Sequence, residues 1–167
     1  MVASESELKL TLPSDREIEL TRVFDAPREL LFKTMLDPDL IPKWWGPRRY
    51  TTVVDKMDVR VGGKWRFANR AADGTEFWFN GEYREIVPPE RVVQTFEFEG
   101  MPGHVAIETA TFEDLGNGRT RLRARSVFPN KEDRDAVLSS GMESGARETY
   151  ERLAEIVAER QRVGSKR

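Results

Sequence analysis

The feature that most constrains the fold is the C-terminal segment from Lys131 to Arg160, which contains no proline. Its apolar and small side chains recur at helical spacing, at Leu138, Met142, Gly145, Ala146, Thr149, Leu153, Ile156 and Val157. This pattern predicts one helix of roughly 30 residues, about 45 Å long at 1.5 Å per residue. In a chain of 167 residues, only a sheet of the same domain is large enough to cover so long an apolar stripe.

Most of the remaining chain has the pattern of strands joined by tight turns. Residues 17–24 alternate as a strand, and residues 27–36 and 38–45 have helical spacing interrupted at Asp37-Pro38. Six further strands are predicted over residues 50–61, 64–70, 75–87, 91–99, 104–113 and 119–128. The predicted fold class is α+β: a curved antiparallel sheet of about six to seven strands wrapped around one long C-terminal helix, with two short helices after the first strand.

Composition also predicts the domain boundaries. Residues 1–15 are polar and end at Pro13-Ser14-Asp15, which indicates a flexible N-terminal tail, with Leu8–Leu12 as an alternative ordered arm. Residues 16–161 are predicted to form a single domain, because no internal repeat or second core is visible. Residues 162–167 are expected to form a frayed C-terminal tail.

Several classes of function are excluded by composition. The chain has no cysteine and one histidine, His104, which argues against disulfides, thiolate catalysis and the usual zinc sites, and neither a metal nor a cofactor is expected. The net charge is −2 with acids and bases interleaved, which argues against nucleic-acid binding. No apolar run approaches the roughly 20 residues of a membrane span, and the N-terminus lacks signal-peptide features, so a cytoplasmic location is expected.

Strand alternation identifies the residues that face the interior. If Phe112 points inward, Glu108 and His104 share its face, and Gln94 and Phe96 share the inward face of the preceding strand. Glu108 is then a carboxyl group in apolar surroundings, suited to anchor a ligand or to act as a general acid or base. The alternatives are a register displaced by one residue, or a nearby arginine that pairs with Glu108. His104 is expected near the rim of the sheet, as a solvated residue and not as a catalyst.

Aromatic side chains supply the rest of the predicted pocket. Trp44 and Trp45 lie together on the second short helix, where one ring is expected to fill the core and the other to cover the cavity. Aromatic stripes on strands serve as core more often than as ligand contacts, and both interpretations stand for these rings. Trp78 has polar neighbours on its own face and is expected to be exposed, which allows a homodimer. The predicted ligand-binding set is Trp45, Trp65, Phe67, Phe79, Gln94, Phe96, Glu108 and Met142.

Five segments are distinctive enough to compare with known families: TRVFDAPRELLF, DPDLIPKWWGP, VGGKWRF, DGTEFWFNGEYREIVPPERVV and GMESGARETYERLAEIV. Over residues 16–160, the sequence resembles the family related to the activator of the heat-shock protein 90 ATPase, within the START-like, polyketide-cyclase-like (SRPBCC) superfamily. The resemblance implies the helix-grip fold and a hydrophobic cavity between helix and sheet. Met142 departs from the resemblance, because many relatives have a bulky aromatic residue near the start of that helix.

The resemblance does not imply one activity, since the superfamily includes lipid carriers, hormone receptors, cyclases and co-chaperone domains. The favoured function is binding of a small apolar molecule, lipid-, polyketide- or aromatic-like, because the predicted interior is aromatic and poor in catalytic groups. One alternative is a cyclase or hydrolase that uses Glu108 and cavity water. The other is an interaction domain that stimulates a chaperone ATPase through its outer surface. The residues favour binding over catalysis.

Overall fold

The computed structural model describes residues 6–164, which form one antiparallel sheet with helices against its inner face. The strands are β1 (Lys9–Thr11), β2 (Glu17–Phe24), β3 (Thr51–Met57), β4 (Lys64–Arg70), β5 (Glu76–Val87), β6 (Arg91–Phe98), β7 (Val105–Gly116) and β8 (Arg119–Val127). The helices are α1 (Arg28–Met35), α2 (Ile41–Trp44), α3 (Lys131–Ser139) and α4 (Met142–Gly164). No helix within residues 6–164 is long and apolar enough to cross a membrane.

The strand order across the sheet is β1-β2-β8-β7-β6-β5-β4-β3. Strands β3 to β8 form the predicted meander, and β2 pairs with β8 at the far side, so α1 and α2 carry the chain from one side of the sheet to the other. This order confirms the predicted α+β class with two short helices after the first long strand. The sheet has eight strands, one more than the upper limit of the prediction.

The additional strand lies in the segment that was predicted to be a flexible tail. Within residues 1–15, Lys9–Thr11 form β1 and pair with Glu19–Thr21 of β2, because Leu8 beside them is buried and holds the segment against the domain. Residues 1–5 lie outside the described part of the chain. At the other end, α4 continues to Gly164, past the predicted boundary at residue 161, since no proline interrupts Met142–Gly164.

The predicted long C-terminal helix is confirmed, but it starts at Met142, because the segment predicted as one helix over 131–160 forms two. Gly141 has φ = 85°, a left-handed conformation that suits glycine and ends a helix, so α3 stops at Ser139 and α4 starts at Met142. Asn130 caps α3, because its side chain accepts a hydrogen bond from the backbone N–H of Asp133. The two helices then pack against different parts of the sheet, because Val137 and Leu138 of α3 contact the cluster that contains Ile18 and Ala106, while Leu153 and Val157 of α4 lie in the main core.

The main core lies between α1, the second half of α4 and the inner face of the sheet. Leu153 and Val157 of α4 are buried in one cluster with the aromatic rings of the sheet and α1. The ring centroids of Phe32 on α1 and Phe112 on β7 are 5.1 Å apart, in an edge-to-face arrangement. This packing sets the distance between the helices and the sheet.

A buried hydrogen bond attaches the start of α1 to the sheet. Thr120 on β8 has no exposed surface, and its Oγ1 donates to the carbonyl oxygen of Ala26 at 2.7 Å. Replacing this threonine with valine would keep its shape and leave the Ala26 carbonyl without that donor. A buried polar group without a partner costs about 1–3 kcal/mol.

We therefore expect Thr120→Val to lower the free energy of unfolding by about 1–3 kcal/mol in urea titrations. The matched control is Thr111→Val on β7, where the threonine is exposed and the same substitution should change the free energy of unfolding by less than about 0.5 kcal/mol. Equal effects at the two positions would show that the bond to Ala26 is not what stabilises this junction.

Candidate functional site

A cavity of about 350 Å³ lies between the inner face of the sheet and the first half of α4. Its lining comes from β2 to β8, the end of α1, α2 and α4, so most of the elements of the domain contribute to it. The volume lies within the range of pockets that hold small organic molecules. The cavity is therefore the candidate site.

Aromatic rings form one wall of the cavity. The Trp45 ring lies edge-on to Phe67 and Phe79, with centroids 5.2 and 5.5 Å apart, and the Phe79 and Phe96 rings are 5.4 Å apart. Trp65 continues the wall, with its ring 4.9 Å from that of Phe67. Such contacts hold the rings in fixed orientations, so the wall is formed before any molecule enters.

The close approach of the strands at Gly81 allows Trp65 to occupy this wall. A Cβ atom at Gly81 would lie 1.9 Å from the carbonyl oxygen of Thr95 and 2.4 Å from Trp65 Nε1. Both distances are far below van der Waals contact, so any larger residue would displace either the neighbouring strand or the indole ring. Glycine at this point of β5 therefore leaves room for the Trp65 ring beside it.

Backbone contacts on both sides place Trp45 in the cavity. The hydroxyl of Thr52 donates to the carbonyl oxygen of Trp45, and Arg152 Nη1 of α4 donates to the carbonyl oxygen of Gly46 at 2.7 Å. Gly46 has φ = 91°, and a Cβ there would meet the side chain of Asn69 at 2.4 Å. The chain therefore turns sharply after Trp45, and the turn is attached to the helix that closes the cavity.

A row of polar side chains crosses the floor of the cavity. The row contains one residue from each of the four strands β5 to β8, namely Tyr83, Gln94, Glu108 and Ser126. Each residue is paired with the next across the sheet, so the four side chains lie on one face. Gln94 Nε2 donates to Glu108 Oε1 at 3.3 Å, and Ser126 Oγ donates to Glu108 Oε2 at 3.4 Å. The carboxyl group of Glu108 is thus at the middle of the row, with one donor on each side.

Apolar residues border this polar row on both sides. The next row in register contains Val92, Ala110, Ala124 and Leu20. The row on the other side contains the paired Phe96 and Ala106. Glu108 therefore presents the single carboxyl group of the lining, within a narrow polar row that has apolar residues on both sides.

Burial in the cavity raises the pKa of Glu108 to about 7, while the hydrogen bonds from Gln94 and Ser126 oppose this shift. The side chain lines the cavity, so the part of its surface that water can reach faces the cavity and not the outside of the molecule. Burial also raises the pKa of Tyr83 and Tyr150, and for Tyr150 the charge of Glu108 adds to the effect. Both phenols stay neutral at physiological pH, so Glu108 is the group in the lining that titrates near neutrality.

The structure places all eight residues of the predicted ligand-binding set in the lining of this one cavity. Trp44 also lines the cavity and is largely buried, while Trp45 is half-buried, in line with the division predicted for this pair.

The alternative of a displaced register is wrong, because Glu108 shares its face with Gln94 and Ser126. Among the described residues, the carboxyl group of Glu108 is hydrogen-bonded to Gln94 and Ser126 and not to an arginine. Contact of these side chains with a ligand stays a prediction.

Several residues of the lining were missed by sequence reasoning. Asn69 lies two residues after Phe67 on β4, and Tyr83 lies four residues after Phe79 on β5. Strand alternation therefore places both on the cavity face, which the sequence pattern could have indicated. Tyr150 lies four residues after Ala146 on the same helical stripe, and this spacing also carried a signal. The sequence pattern contained no signal for the remaining three, Leu20, Met35 and Leu36. Their place in the cavity follows from the path of the chain across the sheet.

His104 and Trp78 are not brought into the site. His104 lies before β7 and is about half exposed, with Nδ1 2.8 Å from Asp133 Oδ1 of α3. The Trp78 ring is half-buried under the guanidinium group of Arg66, which lies 3.9 Å from the ring centroid. The expectation of an exposed Trp78 is therefore wrong, because a cation–π contact covers it.

No group of three or more acidic or histidine side chains within residues 6–164 is positioned to hold a metal ion. The cavity instead combines an aromatic wall, small side chains and one carboxyl group of raised pKa. This arrangement can enclose a small molecule and offer it one ionisable carboxyl group, together with hydrogen-bonding groups such as Asn69 Oδ1 and the indole N–H groups of Trp44 and Trp65, which have no hydrogen-bond partner among the described residues.

Comparison with known proteins gives a match to a family model over residues 25–158, the family described as Activator of Hsp90 ATPase homolog 1-like protein. Among solved structures, the chain is similar to a protein of Chromobacterium violaceum, with 31% sequence identity, a TM-score of 0.77, and coverage of 86% of this chain and 98% of that chain. No curated protein sequence matches the chain.

Two further solved structures show likeness of fold alone. A protein of Rhodobacter sphaeroides has a TM-score of 0.85 at 24% identity, and the match covers 91% of this chain and 98% of that chain. An HSP90 activator from Plasmodium falciparum has a TM-score of 0.53 at 23% identity, with coverage of 70% and 78%. The element order described above is therefore shared by proteins of distant organisms.

The raised pKa of Glu108 makes stability depend on pH in a defined direction. The neutral carboxyl is favoured in the folded state, so the folded protein loses stability as pH rises from about 4.5 to about 7, and no further loss from this group follows above 7. We expect the free energy of unfolding of the unsubstituted protein, relative to Glu108→Gln, to fall by on the order of 3 kcal/mol over that interval. Urea unfolding of both proteins at each pH measures it.

The control substitution is Glu113→Gln on the outer side of the same strand, where the carboxylate is paired with Arg121 at 3.0 Å in contact with water. It reports any effect of exchanging glutamate for glutamine on β7. A difference between the unsubstituted protein and Glu108→Gln that stays constant between pH 4.5 and 8 would contradict the placement of Glu108 in a low-dielectric cavity.

Proposed function

The chain belongs to the family of Activator of Hsp90 ATPase homolog 1-like proteins, and we propose that it binds a small, largely apolar molecule in the cavity between its sheet and α4. One observation carries the proposal: the cavity of about 350 Å³ has an aromatic wall and a single carboxyl group on its floor. Aromatic and aliphatic lining favours an apolar body through the hydrophobic effect. Glu108, between its two donors, supplies one polar contact that would orient the molecule.

The arrangement of α4 supports a role for the cavity beyond imperfect packing. Native interiors are close-packed, and an empty apolar space of this size lowers stability. Four residues of α4 line the cavity, and Ala146 is the smallest of them, between the larger side chains of Met142 and Tyr150. A larger residue at position 146 would fill the space, so the sequence of α4 keeps the cavity open.

A second candidate function is general acid–base catalysis on a bound molecule, and the pKa of about 7 for Glu108 favours it. A carboxyl group that titrates near neutrality can both accept and donate a proton at physiological pH. In a hydrolase of this kind Glu108 would activate a cavity water. This function requires turnover that is lost in Glu108→Gln, while the binding proposal requires none.

The binding proposal predicts that filling the cavity abolishes binding. We expect Ala146→Phe to lower the affinity for N-phenyl-1-naphthylamine, a neutral fluorescent aromatic probe, by more than tenfold, because the new ring occupies the space that the probe needs. The fluorescence increase of the bound probe measures its affinity. Native mass spectrometry of the freshly purified protein, which detects small molecules retained through purification, should likewise show loss of any such molecule.

The matched control is Ala158→Phe, which adds the same ring to an exposed position of the same helix. Circular dichroism and thermal unfolding verify that both variants are folded. Equal probe affinity in the two variants, or no binding to the unsubstituted protein, would overturn the proposal. The same pair separates ligand binding from stimulation of a chaperone ATPase, since an interaction made by the outer surface would survive Ala146→Phe.

A further inference from the structure

The charges around the cavity are of one sign. Among the described residues that line it, Glu108 is the only acid, and no lysine, arginine or histidine is present. A ligand with a carboxylate or phosphate group inside the cavity would meet a carboxyl group and no cation. Burying an anion without a positive partner is costly, so the lining disfavours anionic ligands.

The carboxyl group of Glu108 has acceptor capacity that the protein leaves unused. Gln94 and Ser126 each donate one hydrogen bond, at the long distances of 3.3 and 3.4 Å. An ionised carboxylate has about four acceptor positions, so about two remain for groups inside the cavity. The unused positions require a partner that donates hydrogen bonds, and a cation is the strongest donor to a carboxylate.

The rings of the wall favour a positive charge as well. The rings of Trp45, Phe79 and Phe96 line the same cavity as the polar row, and aromatic rings attract a cation that lies over them most strongly where water is excluded. An apolar body would lie along the rows on either side of Glu108. A molecule that places one positive group over the carboxylate and apolar surface beside it fits both features.

This inference rests on the proposed function. We propose that the cavity binds a protonated amine with a compact aromatic or aliphatic body, and that the ammonium group pairs with the carboxylate of Glu108. The ammonium group donates to the unused carboxylate positions, and the body replaces water against the aromatic wall. The pairing requires the ionised form of Glu108. The phenols of Tyr83 and Tyr150, which share the cavity, stay neutral in the same pH range and leave Glu108 to determine the pH dependence.

The experiment uses four naphthalene derivatives that share one ring system and differ in the head group. 1-Naphthylmethylamine is a cation at neutral pH, 1-naphthylmethanol is a neutral donor, 1-acetonaphthone is a neutral acceptor and 1-naphthoate is an anion. Isothermal titration calorimetry of the full chain at pH 8 should give at least tenfold tighter binding of the amine than of the alcohol, and no detectable binding of the anion. Below pH 7 the affinity for the amine should fall by up to tenfold per pH unit, following the ionised fraction of Glu108.

Glu108→Gln tests the residue itself. The preference for the amine over the alcohol should disappear in this variant, because the glutamine amide has no charge to pair with the ammonium group, and circular dichroism verifies that the variant is folded. Tighter binding of the ketone than of the amine, with affinity that falls as pH rises, would overturn the ligand class, because Glu108 would then act as a neutral donor.

The outcomes distinguish this inference from the function on which it rests. If N-phenyl-1-naphthylamine binds but 1-naphthylmethylamine binds no better than the alcohol, the ligand class is wrong and the binding function stands. If neither the neutral probe nor any of the four derivatives binds, the proposed function fails and the ligand class with it. An amine preference that persists in Glu108→Gln would place the cation elsewhere and overturn the assignment to this carboxylate.

Discussion

The arrangement of the domain depends on the fact that α4 packs tightly against the sheet along only half of its length. Leu153 and Val157, in the second half, are buried against the core. Ala146 and Tyr150, in the first half, line an open space instead. The helix has 23 residues, about 35 Å at 1.5 Å per residue, so it spans both regions without a bend. A rigid helix fixed at one end by a dense core therefore holds the roof of the cavity at a set height above the sheet.

The walls of the cavity depend on the same helix. Arg152 lies on the side of α4 and binds the carbonyl oxygen of Gly46, so the turn that carries Trp45 is fixed to the helix and not only to the sheet. Arg48 extends this attachment through an ion pair with Glu155 at 2.5 Å. Exposed ion pairs of this kind contribute little to stability, but they set the position of the segment between α2 and β3. The aromatic wall and the roof therefore keep one geometry relative to each other.

Strand alternation was the most informative part of the sequence, because its period of two leaves little freedom once one inward residue is known. Because Phe112 was taken to face the interior, alternation along β7 also predicted an interior position for Glu108. The pairing of Glu108 with Gln94 and Ser126 across β6, β7 and β8 agrees with that prediction. Helical periodicity was less informative, since the apolar stripe continues across the break at Gly141 and hides it. The Ser-Ser-Gly sequence before α4 is a typical helix end and carried the missing signal. The strand pairing of β1 and the contribution of Leu20 to the cavity depend on long-range contacts, which local patterns do not contain.

The position of Glu108 lowers the stability of the folded protein and would strengthen its contact with a bound molecule. Both effects follow from the poor solvation of its carboxyl group. A carboxyl group in an apolar surface is ionised only at a cost, and two long hydrogen bonds offset part of it. Replacing it with an apolar residue would give a more stable floor, as is common where buried charges are exchanged for packed hydrophobic groups. The same lack of solvation makes a partner inside the cavity interact with the carboxylate far more strongly than it would in water. The helix leaves a fixed space over this group, so a molecule in that space would interact with the carboxylate through its head group.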